Sequence, residues 1–164
     1  MTSDVRAVVA YGANLGDRRA TVLAALADLG SADGVEVTAV SDAIETVALR
    51  PQGEDPAAPA YLNGVALLRT TLPPDDLLAL LHRIEADHGR VRTEHWGDRT
   101  LDLDLIDFDG RQLADERLEL PHPRAWQRAF VLAPWLDLEP DAVLPGRGPV
   151  AALRAEASDE VVRR

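Results

Sequence analysis

Arg99-Thr100-Leu101-Asp102-Leu103-Asp104-Leu105 alternates leucine with aspartate over the length of a β-strand. Successive side chains on a strand point to opposite faces, so Asp102 and Asp104 share one face while Leu101, Leu103 and Leu105 share the other. Strands seldom carry aspartate, and two adjacent carboxylates repel each other. A divalent cation between them removes that repulsion. Carboxylate oxygens on a rigid element suit Mg²⁺, which also recruits substrate phosphates. Two readings stand at this point: a metal-assisted phosphate site, or a half-exposed strand with a solvated face.

The segments on either side set the fold. Val5 to Tyr11 is an apolar run broken by Gly12 and reads as a buried first strand. Asp17 is placed to cap a helix whose apolar residues Val22, Leu23, Leu26 and Leu29 recur at helical spacing, with Gly30 as its stop. Val35 to Leu49 reads as one long second strand, and Arg50 to Pro59 as a mobile surface loop. Tyr61 to Thr71 then forms a third strand, hairpinned to the second. Pro73-Pro74-Asp75-Asp76 opens a second helix with fixed φ angles and negative charge, its apolar stripe is Leu77, Leu78, Leu81 and Ile84, and Gly89 ends it. Arg90 to Asp98 is a polar loop, and the aspartate strand follows. A turn at Asp109-Gly110 leads to a short strand pair around Gln112 and Leu118, and after Pro121 the chain is helical in short, proline-interrupted pieces. The order β-α-β-β-α-β predicts an α+β, ferredoxin-like sandwich: one antiparallel sheet with helices packed on one side. One domain is expected over residues 1–164.

Composition narrows the chemistry. The net charge is −11, which disfavours a nucleic-acid binder. Every basic residue is arginine, which excludes a Walker-A lysine and a Schiff-base lysine. Cysteine is absent, so thiol catalysis, disulfides and thiolate metal sites are excluded. Neither a signal-peptide pattern nor a run of membrane-spanning length is present, so a cytoplasmic protein with no membrane partner is expected. Eight of the 17 basic residues lie between Arg83 and Arg128. That concentration is what an anionic ligand requires of an acidic chain.

Gly89-Arg90-Val91-Arg92 and Trp96-Gly97-Asp98-Arg99 bracket the loop before the aspartate strand. Guanidinium groups bind phosphate oxygens in a planar, bidentate way and keep their charge. Ion pairing with Asp87, Glu94 and Asp98 is the competing explanation. Pro121-His122-Pro123 fixes a histidine between two restricted backbones, near Arg117 and Arg128. Gly12 to Asp17 is read as a tight strand-to-helix turn rather than a phosphate cradle, and His82 and His88 as surface residues. Tyr61-Leu62-Asn63 and Ala129-Phe130-Val131 place aromatic residues near the suspected loops. Before any likeness is invoked, a phosphoryl or nucleotidyl transferase and a non-catalytic ligand-binding module both remain open. The arginines and aspartates gathered in loops favour the enzyme.

Taken in order, Tyr11-Gly12-Ala13-Asn14-Leu15-Gly16, Pro51-Gln52, Tyr61-Leu62-Asn63, Gly89-Arg90-Val91-Arg92, Trp96 through Asp104, Leu120 through Arg124 and Arg128 through Leu132 resemble the 6-hydroxymethyl-7,8-dihydropterin pyrophosphokinase family of folate biosynthesis. The blocks reach to about Pro145. The resemblance implies a Mg²⁺-dependent diphosphotransferase that moves pyrophosphate from ATP to the pterin hydroxymethyl group and releases AMP. It implies that Asp102 and Asp104 hold two Mg²⁺ ions and that Arg90 and Arg99 assist the transfer. It assigns ATP contacts to His82, Glu85, Arg92, His95, Leu105, Arg117, His122 and Arg128. The pterin falls to Thr46, Val47, Leu49, Asn63 and Trp96, stacked between Tyr61 and Phe130. The expected partners are these two small molecules, with neither nucleic acid nor membrane; a monomer is compatible with the sequence, which leaves the oligomeric state open. The chain departs from the family pattern at Ala13, Val47, His82, His95 and Asp98.

Overall fold

The computed structural model describes residues 4–13, 17–46, 48–50, 53–55, 61–88, 101–157 and 162–163. Strand β1 (Val5–Ala13) lies between β6 (Tyr61–Thr70) and β7 (Asp102–Phe108) and is antiparallel to both. On its other side β6 pairs with β2 (Val35–Val40) and β3 (Ile44–Thr46), and β3 pairs with β12 (Val162–Arg163). Helix α1 (Arg18–Ser31) joins β1 to β2, and α2 (Pro74–Asp87) follows β6. After β7 come β8 (Leu113–Ala114), β9 (Glu119–Leu120), a 3₁₀ turn (Ala125–Gln127), α3 (Ala129–Leu138), the β10–β11 hairpin (Val143–Leu144 and Gly148–Pro149) and α4 (Val150–Glu156). The antiparallel α+β sandwich is the expected class.

Helices cover both faces of the sheet, not one. From Ala7 to Ala13 every residue of β1 is buried, and a strand buried on both sides needs a cover on both. Ala7, Val9 and Tyr11 point with Leu103 and Leu105 into a core closed by α1 and α2. Val8 and Ala10 point with Val65 and Ile106 into a second core, closed by Val131, Leu132 and Trp135 of α3 and by Val150 and Leu153 of α4. Helix α3 runs through Pro134. A proline inside a helix costs about 3 kcal/mol, but each large apolar side chain buried here contributes about 1.5–3 kcal/mol, so burial prevails.

Most local signals act as expected. Asp17 accepts a hydrogen bond from the Ala20 amide at 3.1 Å and caps α1, which continues through Gly30 to Ser31 before the extended Ala32 ends it. Its buried stripe is Val22, Ala25 and Leu29, leaving Leu23 exposed. Pro73 and Pro74 begin α2, in which Leu80 takes the buried position expected of Leu78. Asp109 and Gly110 adopt positive φ (55° and 67°) and the Arg111 amide donates to the Phe108 carbonyl, giving the tight turn after β7. The long second strand is divided instead: β2 ends at Val40, Ser41–Ala43 intervene, and β3 begins at Ile44. Part of the expected loop is ordered too, since β4 (Ala48–Arg50) pairs with β5 (Gly53–Asp55). Among the described residues, no helix is long and apolar enough to cross a membrane.

Candidate active site

Strand register builds one row across the sheet. Asp102 of β7 stands opposite Gly12 of β1, Gly12 opposite Asn63 of β6, and Asn63 opposite Ile44 of β3. Two residues on, Asp104 stands opposite Ala10. Leu101, Leu103 and Leu105 are buried in the α1–α2 core, so Asp102 and Asp104 face the other way, both half-buried. The alternation read from the sequence is the alternation observed.

Gly12 lies inside β1 rather than in a turn. A Cβ built on it would come within 2.7 Å of Asn63 Nδ2 and 3.8 Å of the Tyr61 ring. The missing side chain therefore gives the Asn63 amide and the Tyr61 ring room over the β1 backbone. A glycine inside a strand signals such a close approach. That signal was present in the sequence and pointed to a role the turn reading missed.

His122 joins this face along the outer edge of β7, where its amide donates to the Ile106 carbonyl at 2.9 Å. Burial pulls its pKa below the usual histidine range. The Asp104 carboxylate pushes the other way, while Arg128 and Arg124 add to the lowering. His122 is thus neutral at pH 7. Its Nδ1 accepts the Arg124 amide at 3.2 Å, which places the ring proton on Nε2. Two residues beyond Arg128, Phe130 sits on the first turn of α3, with the Arg128 guanidinium 5.4 Å from its ring centroid. Helix α3 packs on β6 and β3, the strands that carry Tyr61, Asn63 and Thr46. Thr46 is level with Tyr61 in the ladder, and Leu49 belongs to the separate β4–β5 pair.

The remaining expected nucleotide residues are placed differently. Glu85 of α2 is buried on the leucine side, and its Oε2 accepts the Leu103 amide at 2.8 Å. It thereby satisfies a backbone donor at the edge of β7. Leu105 is buried beside it, whereas His82 and Arg117 are exposed. His88, expected on the surface, pairs with Asp28 of α1 at 2.9 Å. Arg90, Arg92, His95, Trp96, Arg99 and Val47 lie outside the described residues. Beyond His122 a cleft of about 380 Å³ runs past Pro121 to Trp126 and the 144–147 turn. It includes His122, but neither aspartate lines it.

Asp102 and Asp104 offer hard oxygen donors from alternate positions of one rigid strand, which fits Mg²⁺. That ion commonly takes one or two protein carboxylates and completes its shell with waters and phosphate oxygens.

Residues 8–140 match the family model described as 7,8-dihydro-6-hydroxymethylpterin-pyrophosphokinase (HPPK). The chain belongs to this family. It is 42% identical over 142 residues to the 2-amino-4-hydroxy-6-hydroxymethyldihydropteridine pyrophosphokinase of Synechocystis sp., covering 87% of this chain and 70% of that protein. A Pseudomonas aeruginosa protein of the same name is 42% identical over 160 residues, 97% of this chain and 96% of the relative. In architecture, a Plasmodium falciparum HPPK-DHPS crystal structure superposes with a TM-score of 0.72 at 12% identity, over 94% of this chain and 46% of that one. This chain thus spans less than half the length of that structure, and the likeness shows the shared fold. As an HPPK family member the chain is a pyrophosphokinase, transferring a pyrophosphoryl group to hydroxymethyldihydropterin in folate biosynthesis.

Proposed function

We propose that ATP is the donor and AMP the leaving group, that Asp102 and Asp104 hold two Mg²⁺ ions on the phosphates, and that residues 1–164 act as a single domain. The observation that carries this reading is the row Asp102–Gly12–Asn63. Neighbouring strands lie about 4.8 Å apart, and the Asn63 amide reaches from β6 over Gly12 towards the β7 carboxylates on the same face. A phosphate chain at the carboxylates and a heterocycle at the amide would lie in one line.

The pterin hydroxymethyl oxygen attacks the β-phosphorus, the bond to the α-phosphate oxygen breaks, and the hydroxyl proton passes to solvent. Bound Mg²⁺ would supply charge neutralisation at the phosphate oxygens as negative charge moves onto AMP. Asn63 orients the heterocycle through its amide, and Tyr61 and Phe130 offer it aromatic faces. Thr46, Val47 and Leu49 are assigned to the pterin as well. His122, neutral with its proton on Nε2, donates to a phosphate oxygen, and Arg128 adds a fixed positive charge beside it. Arg92, His95, Arg117 and His82 belong to the nucleotide side, whereas Glu85 holds the Leu103 amide from behind β7 and Leu105 packs in the core there. Arg90 and Arg99 are assigned to assist the transfer and Trp96 to the pterin.

The test is a product assay with ATP, Mg²⁺ and hydroxymethyldihydropterin. AMP and the pterin diphosphate are expected in equal amounts. ADP with a pterin monophosphate would overturn the donor chemistry in favour of a single phosphoryl transfer on the same fold.

A further inference from the structure

Tyr11 and Gly64 are cross-strand partners in β1 and β6, next to the pair Gly12 and Asn63. The two pairs are mirror arrangements: each sets one glycine against one large side chain, on opposite faces of the sheet. A Cβ on Gly64 would overlap the phenol of Tyr11, which lies flat beneath β6. Only 3% of Tyr11 is exposed, and its hydroxyl donates to the Ser41 carbonyl at 3.4 Å on the far side of β6. Burial pushes the phenol's pKa up, so it keeps the proton it donates.

Ser41 occupies the break between β2 and β3. Its amide donates to the Val65 carbonyl at 2.9 Å, and its Oγ accepts the Val65 amide at 2.9 Å, so one residue satisfies both backbone groups. Val40 is level with Ala66 and Ile44 with Asn63; three residues, 41–43, therefore face two, Gly64 and Val65. This is a bulge, and it shifts the ladder by one position. Without that shift Glu45, not Thr46, would stand opposite Tyr61.

We propose that Tyr11 is a positioning residue for pterin recognition: laid across Gly64 and bonded to Ser41, it pins the bulge that brings β3 into register with Tyr61 and Asn63. The residue acts from behind the wall and does not touch substrate. The proposal rests on the reading of Tyr61 and Asn63 given above.

The test is steady-state kinetics and thermal melting of Tyr11→Phe, Gly64→Ala, Tyr11→Leu and the Tyr11→Leu/Gly64→Ala double variant. Tyr11→Phe keeps the ring and removes one hydrogen bond. We expect its pterin KM to rise about threefold, with kcat and the ATP KM within about twofold. Gly64→Ala displaces the ring, and its pterin KM is expected to rise about tenfold or more. In the Tyr11→Leu background, Gly64→Ala adds nothing, because no ring remains to be displaced. Should Gly64→Ala fail to fold, the Tyr11→Phe profile decides. Unchanged pterin KM in both single variants, pterin and ATP KM rising together, or an equal Gly64→Ala effect with and without Tyr11 would each overturn the positioning role. A wild-type chain that forms no pterin diphosphate would instead overturn the assignment of function, and this role with it.

Discussion

At one end of the central strands, Arg6 of β1 binds Glu139 through Nε (2.8 Å) and Nη2 and reaches Asp107 of β7 at 3.3 Å, while the Trp135 indole donates to the same Glu139 at 2.8 Å. At the other end of β7, Asp102 and Asp104 stand half-buried over a strip of β1 that carries no side chain at Gly12. Asp107 is 1% exposed, and its Oδ1 has no hydrogen-bond partner among the described residues. Burial raises its pKa, with Arg6 opposing the rise. The contrast separates two uses of acid on one strand. Carboxylates that fasten α3 to the sheet are held by an arginine and an indole, and those assigned to chemistry share one half-buried face of β7. The largest effect should appear where this division is tested directly. Asp102→Ala is expected to lower kcat by about a thousandfold or more, the several kcal/mol that metal charge stabilisation supplies. Its melting temperature should stay near that of the wild type, since a half-exposed side chain contributes little packing. Near-normal turnover at millimolar Mg²⁺ would break the comparison.

The opposite result is expected at the far end. Arg6→Met leaves Asp107 buried without its cation and removes two hydrogen bonds from Glu139. Losing one partner of a fully buried pair costs about 3–5 kcal/mol; Arg6 keeps 34% of its side chain in solvent, so about 2–3 kcal/mol is expected. Turnover per folded molecule should be unchanged. Denaturant unfolding, read beside kcat under native conditions, checks both halves. A large loss of kcat at unaltered stability would show that the two ends are not separate.

How much of this contrast was legible depended on whether the cause was local. The Asp102–Asp104 face, the Asp17 cap, the Pro73-Pro74 helix start and the Asp109-Gly110 turn each follow from a few adjacent residues, and all are observed. The division of the 35–49 strand was not legible, because the bulge at Ser41 is held by Tyr11 from another strand. Gly12 carries the local signal of a close approach, but the side chains that need its space, Asn63 and Tyr61, come from β6. The second helical layer was hidden by Pro134, which reads as an interruption until the burial of Trp135 is counted against it. Within the site, the family likeness named Glu85 and Leu105 as nucleotide residues. The side of Leu105 follows from the strand alternation, but the burial of Glu85 against the Leu103 amide depends on where α2 packs.

The smallest effect concerns pH and belongs to the fastening end alone. The Arg6 hydrogen bond holds the Glu139 carboxyl below its ordinary value of 4.5, with burial opposing and the Trp135 indole assisting. A carboxyl whose folded pKa is depressed contributes stability above its unfolded pKa, and that contribution is lost as pH falls through the folded value. The wild type should therefore lose part of its stability below about pH 4.5, and Glu139→Gln should be less stable at neutral pH but show a flatter acid limb. Chemical denaturation of both proteins from neutral pH to pH 3 measures the difference. Asp107 leans the other way, because a carboxyl with a raised pKa is relieved of its burial cost when it takes up a proton. If the two acid limbs run parallel, Glu139 is not the group that titrates, and the anchoring of α3 would rest on the Val131, Leu132 and Trp135 packing rather than on the arginine.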